Sequence, residues 1–220
     1  METLNSYQIS NDQDLWVWKH DATRIFSVKS AYSVLVSNLG VTVVSPEVSD
    51  QVLAKVWKSW VPSKVIVFSW QLLQDRIPSR QNLFRRNVIT DPHNILCILC
   101  GMSIESVDHL FLICDLSSSA WYSIFRWLGI QAVLPRGVIW FFDFFLDIGV
   151  GRRGHIGWLL IWHAVIWFIW ISWNGLIFSG GTSSVDYLVD RVKLFSWSWY
   201  LTKHPGNLCS YYKWEVQPIL

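Results

Sequence analysis

The residues best suited to chemistry lie in one stretch, CILCGMSIESVDHLFLIC, from Cys97 to Cys114. It holds three of the four cysteines of the chain and one histidine, spaced Cys-x2-Cys-x8-His-x4-Cys. Thiolates and a neutral imidazole are the donors that Zn2+ prefers. A Cys-x2-Cys pair forms a knuckle that turns both sulfurs toward one ion, and Gly101, next in sequence, is free to take the positive φ such a turn uses. Cys97, Cys100, His109 and Cys114 together would make a closed Cys3His set, suited to structural zinc and leaving no position for a substrate water. The competing fates are a disulfide, buried free thiols and a redox Cys-x2-Cys, which no surrounding βαβ pattern supports. The N-terminus, METLNSYQISNDQDLW, has neither a basic n-region nor an apolar h-region and reads as no secretory signal. Bound Zn2+ in a reducing, intracellular setting, nucleus or cytoplasm, is the expectation. His93, after Pro92 and ahead of the knuckle, is the rival ligand, and the isolated Cys209 reads as a passive thiol.

Catalytic patterns are absent from the sequence. Two-metal phosphoryl chemistry needs paired acids, yet there is no Asp-Asp pair, and the sixteen acids are scattered. Asp143 and Asp147 lie among phenylalanines and read as a helix surface. There is no Gly-rich phosphate loop, Gly-x-Ser-x-Gly elbow or His-Glu-x-x-His. A Cys-His nucleophile conflicts with sulfurs committed as ligands. The expectation is a non-enzyme.

Composition points toward partners. The 220 residues are 52% hydrophobic, 15% charged and include sixteen tryptophans, so much surface must be buried, against protein or a membrane. Net charge is only +2, but Lys55, Lys58, Lys64, Arg76, Arg80, Arg85 and Arg86 face a single acid, Asp75, in their stretch. Such a cluster beside aromatics is either a phosphate-contacting face or a solvated helix face. Trp57 and Trp60 have the same two readings, stacking on unpaired bases or filling the core.

The elements that must position these residues are mostly helical. After a polar lead-in at 1–13, the alternation around Asp14–Lys19 and Ile25–Val28, joined by a turn at His20–Arg24, predicts a small β-hairpin. Ser27 or Ser30 starts a helix to about Asn38, and 40–50 reads as a linker. Pro62 opens a largely buried helix to about Asp75, Ser79 caps a short basic helix through Arg86, and Ser117–Leu128 forms an amphipathic helix ending at Gly129. Ser184 caps another, ended by Pro205-Gly206. The fold class is mainly α with a small N-terminal β-hairpin: a zinc-stapled helical domain over 14–130, then an apolar, Trp-rich helical region over 131–220.

One segment has two readings. His155–Phe178 carries no charge and is long enough to span a bilayer, with Arg152 and Arg153 just before it. Against a span stand His163, Ser172, Asn174 and tryptophans at 158, 162, 167, 170 and 173, spread through its middle rather than at its ends. A buried core helix is preferred; a membrane anchor at 156–178 is the alternative.

Several separated motifs then occur in one order: IFSVKSAY from Ile25, Val56-Trp-Lys, Val61-Pro-Ser-Lys-Val with Phe68 and Trp70, and Arg76-Ile-Pro-Ser-Arg-Gln-Asn-Leu. Cys97-x2-Cys-Gly, Glu105, Asp108-His-Leu-Phe, Cys114 and Trp121 follow. Over about Asp14–Leu128 the chain resembles the zinc-binding domain at the C-terminal end of reverse transcriptases from plant LINE-type (non-LTR) retrotransposons. The resemblance implies zinc on Cys97, Cys100, His109 and Cys114, and contact with template nucleic acid. Residues 161–199 are similar to the segment that often follows this domain. Two positions depart from the pattern: Asp21-Ala22 replaces Asp-Gly in the N-terminal turn, and Trp173 precedes Asn174 where an Arg is usual.

The function expected is a non-catalytic zinc-binding module that binds RNA or DNA, with Lys64, Arg76, Arg80, Arg85 and Arg86 on phosphates. The alternatives are a protein-interaction or self-association module built on the Trp-rich half, a membrane-associated remnant, or a retroelement relic without function.

Overall fold

A computed structural model describes residues 16–38, 46–148, 154–203, 206 and 209–218. The expected lead-in at 1–13 and Pro205 lie outside the described residues. The chain divides into two compact units, one ending at Pro46 and the other beginning at Glu47.

In the first unit the expected hairpin does not form: no residue described there is in a strand. The turn itself closes. Trp18 N–H donates to the Arg24 carbonyl at 3.0 Å, and the Asp21 carboxylate accepts from the Thr23 N–H (2.8 Å) and hydroxyl (2.6 Å). Pairing stops at that bond for two physical reasons. With Asp21-Ala22 in place of Asp-Gly, the left-handed residue of the turn is Arg24 at φ 58°, which directs the chain away from a two-residue primed turn. The flanking Trp16, Ile25 and Phe26 are exposed, so no buried face supports a two-stranded ribbon that is marginal alone. Helix α1 (Val28–Asn38) begins where the serines predict. Ser27 Oγ accepts from Ser30 N–H at 3.1 Å and Ser30 Oγ from Ser27 N–H at 3.3 Å, a reciprocal cap.

The second unit is a helical assembly: α2 (Pro46–Val56), α3 (Ser63–Leu73), α4 (Arg80–Arg85), α5 (Asp115–Leu128), α6 (Val138–Ile148), α7 (Gly154–Ser179), α8 (Val185–Lys203) and α9 (Tyr211–Val216). Part of the expected linker is therefore helix. Pro46 stands at the first helical position, where its missing N–H costs nothing. Residues 39–45 lie outside the described residues.

Helix α7 is the centre. It is apolar on every side, and such a helix must be covered on every side. Helices α3, α5, α6 and α8 pack on it, and Leu160, Ile161, Trp162, Val165 and Ile169 are fully buried. By length and composition Gly157–Ser179 could cross a membrane; 56% of its apolar window is buried inside the protein. One hydrophobic core runs from Val52 to Trp214. Three tryptophans tie it together through their indoles: Trp121 Nε1 donates to the Phe111 carbonyl (2.9 Å), Trp127 to Glu215 (2.8 Å) and Trp197 to Cys209 (3.0 Å). Asp143 and Asp147, read from sequence as surface acids, reach Lys55 of α2, so α2 is tied to α6.

Candidate metal centre

Three local structures deliver the four candidate ligands. The first is the knuckle. Gly101 N–H donates to the Cys97 carbonyl at 2.7 Å, and Gly101 takes φ 67°. The N–H groups of Leu99 and Cys100 are directed at Cys97 Sγ, the arrangement that stabilises sulfur as thiolate. The second is a short closure, in which Cys97 N–H donates to the Ser103 carbonyl (2.8 Å) and Leu96 pairs with Ile104 in a single bridge.

The third is a π-turn over His109–Ile113, where Cys114 N–H donates to the His109 carbonyl at 2.7 Å. In α geometry residues five apart point about 140° away from each other. The wider i→i+5 turn brings them nearly into line, and here it sets His109 and Cys114 to share an ion. Ser106 Oγ accepts from His109 N–H at 3.0 Å and fixes its start.

The four donor atoms all lie within 4.8 Å of one another. Cys97 and Cys114 Sγ are 3.9 Å apart, and Cys100 Sγ is 3.3 Å from His109 Nε2. Zinc with Zn–S of about 2.3 Å and Zn–N of about 2.0 Å in a tetrahedron requires S···S of about 3.8 Å and S···N of about 3.5 Å. The donor set therefore fits zinc in both chemistry and size. Cys97, His109 and Cys114 are buried, and Cys100 is partly exposed. As thiols, Cys97 donates to Cys114, which raises the Cys97 pKa and lowers that of Cys114. Burial lowers the His109 pKa, favouring the neutral, ligating imidazole.

A buried acid supports the knuckle from behind. Glu105 accepts from Ile98 N–H at 3.1 Å with one oxygen and from Arg80 N–H at 3.0 Å with the other. Its backbone carbonyl accepts from Gln81 N–H at 3.1 Å. Glu105 thus joins the first turn of α4 to the loop that carries Cys97 and Cys100. On the far side, Ser117 Oγ and Trp121 Nε1 donate to the Leu110 and Phe111 carbonyls of the π-turn, at 2.5 and 2.9 Å. These supporting roles were not predicted; the signal available was a lone Glu set between the knuckle and the histidine.

Residues 26–121 match the family model described as zinc-binding in reverse transcriptase. This segment belongs to that domain family. All four candidate ligands lie inside it, and helices α6 to α9 lie beyond it. The match covers this zinc-binding domain and no polymerase catalytic domain. No curated protein and no solved structure matches the chain. The cluster of Cys97, Cys100, His109 and Cys114 in this zinc-binding domain is compatible with zinc.

Each of the expected nucleic-acid residues of the domain has an internal contact. Arg80 Nη1 donates to the Leu96 carbonyl (3.0 Å), Arg85 Nη1 to Asp75 (2.9 Å) and Asn82 (3.1 Å), and Arg86 Nη2 to the Arg76 carbonyl (2.8 Å). Arg76 lies 5.8 Å from the centre of the Trp70 ring and Lys64 5.6 Å from that of Trp167. Asn82 completes the α3–α4 corner, donating to the Asp75 and Ile77 carbonyls at 2.9 and 3.1 Å.

Proposed function

We propose that the chain is a non-catalytic zinc module that contacts RNA or DNA. Zinc on Cys97, Cys100, His109 and Cys114 would staple the knuckle to the start of α5, and the basic residues Lys64, Arg76, Arg80, Arg85 and Arg86 would supply the charge that phosphates need. The observation that carries this reading is the closed Cys3His cluster with donors within 4.8 Å, inside a reverse-transcriptase-type zinc-binding segment. A closed set holds an ion for folding rather than for substrate activation, and structural zinc contributes about 10–16 kcal/mol of apparent binding energy in small domains. The burial of α7 supports a core helix over a membrane anchor.

The test has two stages. Elemental analysis of purified protein should give one zinc per chain, lost together with folding in a Cys97→Ser/Cys100→Ser variant. Fluorescence anisotropy with labelled oligonucleotides should then show binding that weakens steeply with salt. Well-folded protein without zinc would sink the metal reading, and metal-loaded protein that binds neither RNA nor DNA at low salt would sink the nucleic-acid reading. A second reading, self-association through the apolar half, draws on the exposed Trp140 and Phe144 one turn apart on α6; concentration-dependent mass in sedimentation would support it.

A further inference from the structure

The tryptophan with the least cover in the segment matched to the zinc-binding family stands among cations. Trp57, just past the end of α2, is 54% exposed, although aromatic side chains are usually buried. Its ring lies 6.2 Å from that of Trp70 on α3, and the Arg76 guanidinium sits over Trp70 at 5.8 Å. The exposed Lys58 follows Trp57 directly, and the exposed Lys64 stands on the first turn of α3. Among the described residues neither lysine has an ion pair. From Gln51 to Gln74 the sequence has no carboxylate, and Asp75 is paired with Arg85.

On α3, Lys64 and Trp70 project about 120° apart, so they flank its exposed strip, where Val67 is 42% exposed. Lys64 also lies 5.6 Å from the Trp167 ring, which belongs to α7, beyond the segment matched to the zinc-binding family. The exposed surface across α3 therefore sets aromatic faces beside the positive charge of Lys58 and Lys64.

We infer that Trp57, backed by Trp70 and Arg76 and flanked by Lys58 and Lys64, is a stacking platform for single-stranded nucleic acid. The inference rests on the nucleic-acid reading above and narrows it to one face and one form of the polymer. An exposed ring can take an unpaired base on its open side, which a duplex does not offer, while the lysines meet the backbone phosphates. An apolar protein partner would leave these cations desolvated and unpaired, whereas a polyanion matches both halves of the surface.

The experiment is anisotropy of labelled dT20 and U20 strands, and of a 20-base-pair duplex, against zinc-loaded protein over a range of salt. Trp57→Ala should weaken single-strand binding about ten- to a hundredfold and leave the salt slope unchanged. Trp57→Phe should recover part of the loss. Lys58→Ala and Lys64→Ala should each flatten the slope by about 0.7. Zinc content and circular dichroism of each variant, equal to wild type, establish that folding is retained. Single-strand binding that ignores Trp57→Ala, or a preference for the duplex, overturns the platform while leaving nucleic-acid binding intact. No binding by the wild-type protein overturns both. A Trp57→Ala variant that loses only self-association overturns the platform in favour of a protein interface.

Discussion

The Asp108 carboxylate accepts the backbone N–H of Val138 at 2.8 Å, thirty residues along the chain. Asp108 is the neighbour of His109, and Val138 is the first residue of α6. The residue beside a candidate metal ligand therefore caps a helix that lies outside the matched zinc-binding segment. The partly buried carboxyl has its pKa raised by desolvation, with the Val138 bond acting against that shift.

Removing this cap should cost what a helix N-cap costs. Asp108→Ala is expected to destabilise the protein by about 1 kcal/mol. Zinc stoichiometry should not change, and amide exchange should accelerate in the first turn of α6. Hydrogen–deuterium exchange of the zinc-loaded variant checks this; unchanged protection at Val138–Phe141 would disprove the cap.

Glu105 should matter to metal affinity without touching metal. Its two oxygens hold Ile98 and Arg80 N–H groups, and Glu105→Ala frees both. Loss of such outer support costs about ten- to a hundredfold in metal affinity. Competition with a chromophoric chelator measures it, and Glu105→Gln, which keeps one acceptor oxygen, should fall between wild type and Ala.

His163 should make stability depend on pH. It is fully buried on α7, 2.6 Å from Ser69 Oγ, and burial pushes its pKa down to about 3. An unfolded histidine titrates near about 6.5, so between these values the unfolded chain binds a proton that the folded chain does not. The sign follows: this contribution is complete above about pH 6.5 and is lost as pH falls toward 3, at up to about 1.4 kcal/mol per pH unit. Urea unfolding of wild type and His163→Leu at several pH values, with zinc in excess for both, isolates it. Parallel profiles would eliminate the histidine as the cause.

The C-terminal helix should be held by its tryptophan. Trp214 is fully buried, its indole donates to Ser196 Oγ at 3.1 Å, and its ring lies 5.1 Å from that of Tyr200. Trp214→Ala should cost about 3–5 kcal/mol. Trp127→Phe, which removes the donor to the Glu215 carbonyl, should cost about 1 kcal/mol. Thermal or urea denaturation separates the two; equal, small losses would mean that α9 contributes little.

The ligand cluster was legible because metal spacing is local: four residues in one short run announce themselves. Helix starts at Ser27, Ser79 and Ser184 were legible for the same reason, since a cap is read over three residues. The hairpin failed where local alternation needed a turn that Asp21-Ala22 does not favour and a buried face that Trp16 and Phe26 do not have. The α2 start at Pro46 was hidden by turn-like neighbours. Glu105 and Asp108 were quoted as part of a pattern, but their partners lie 25 and 30 residues away, and no periodicity encodes that distance. The arginine cluster was visible only as charge; its anchoring to Asp75, Leu96 and the Arg76 carbonyl depends on how α3 and α4 turn at Asn82.

The order of synthesis gives α7 a particular hazard. Its packing partners α3, α5 and α6 precede it in the chain, but α8, its most extensive neighbour, follows it. While the ribosome makes Val185–Lys203, one side of an uncharged, tryptophan-rich helix stays bare, and that is the form in which insertion machinery or chaperones meet it. A stop placed between α7 and α8 would deliver a product that is sticky from birth, whatever the state of its metal.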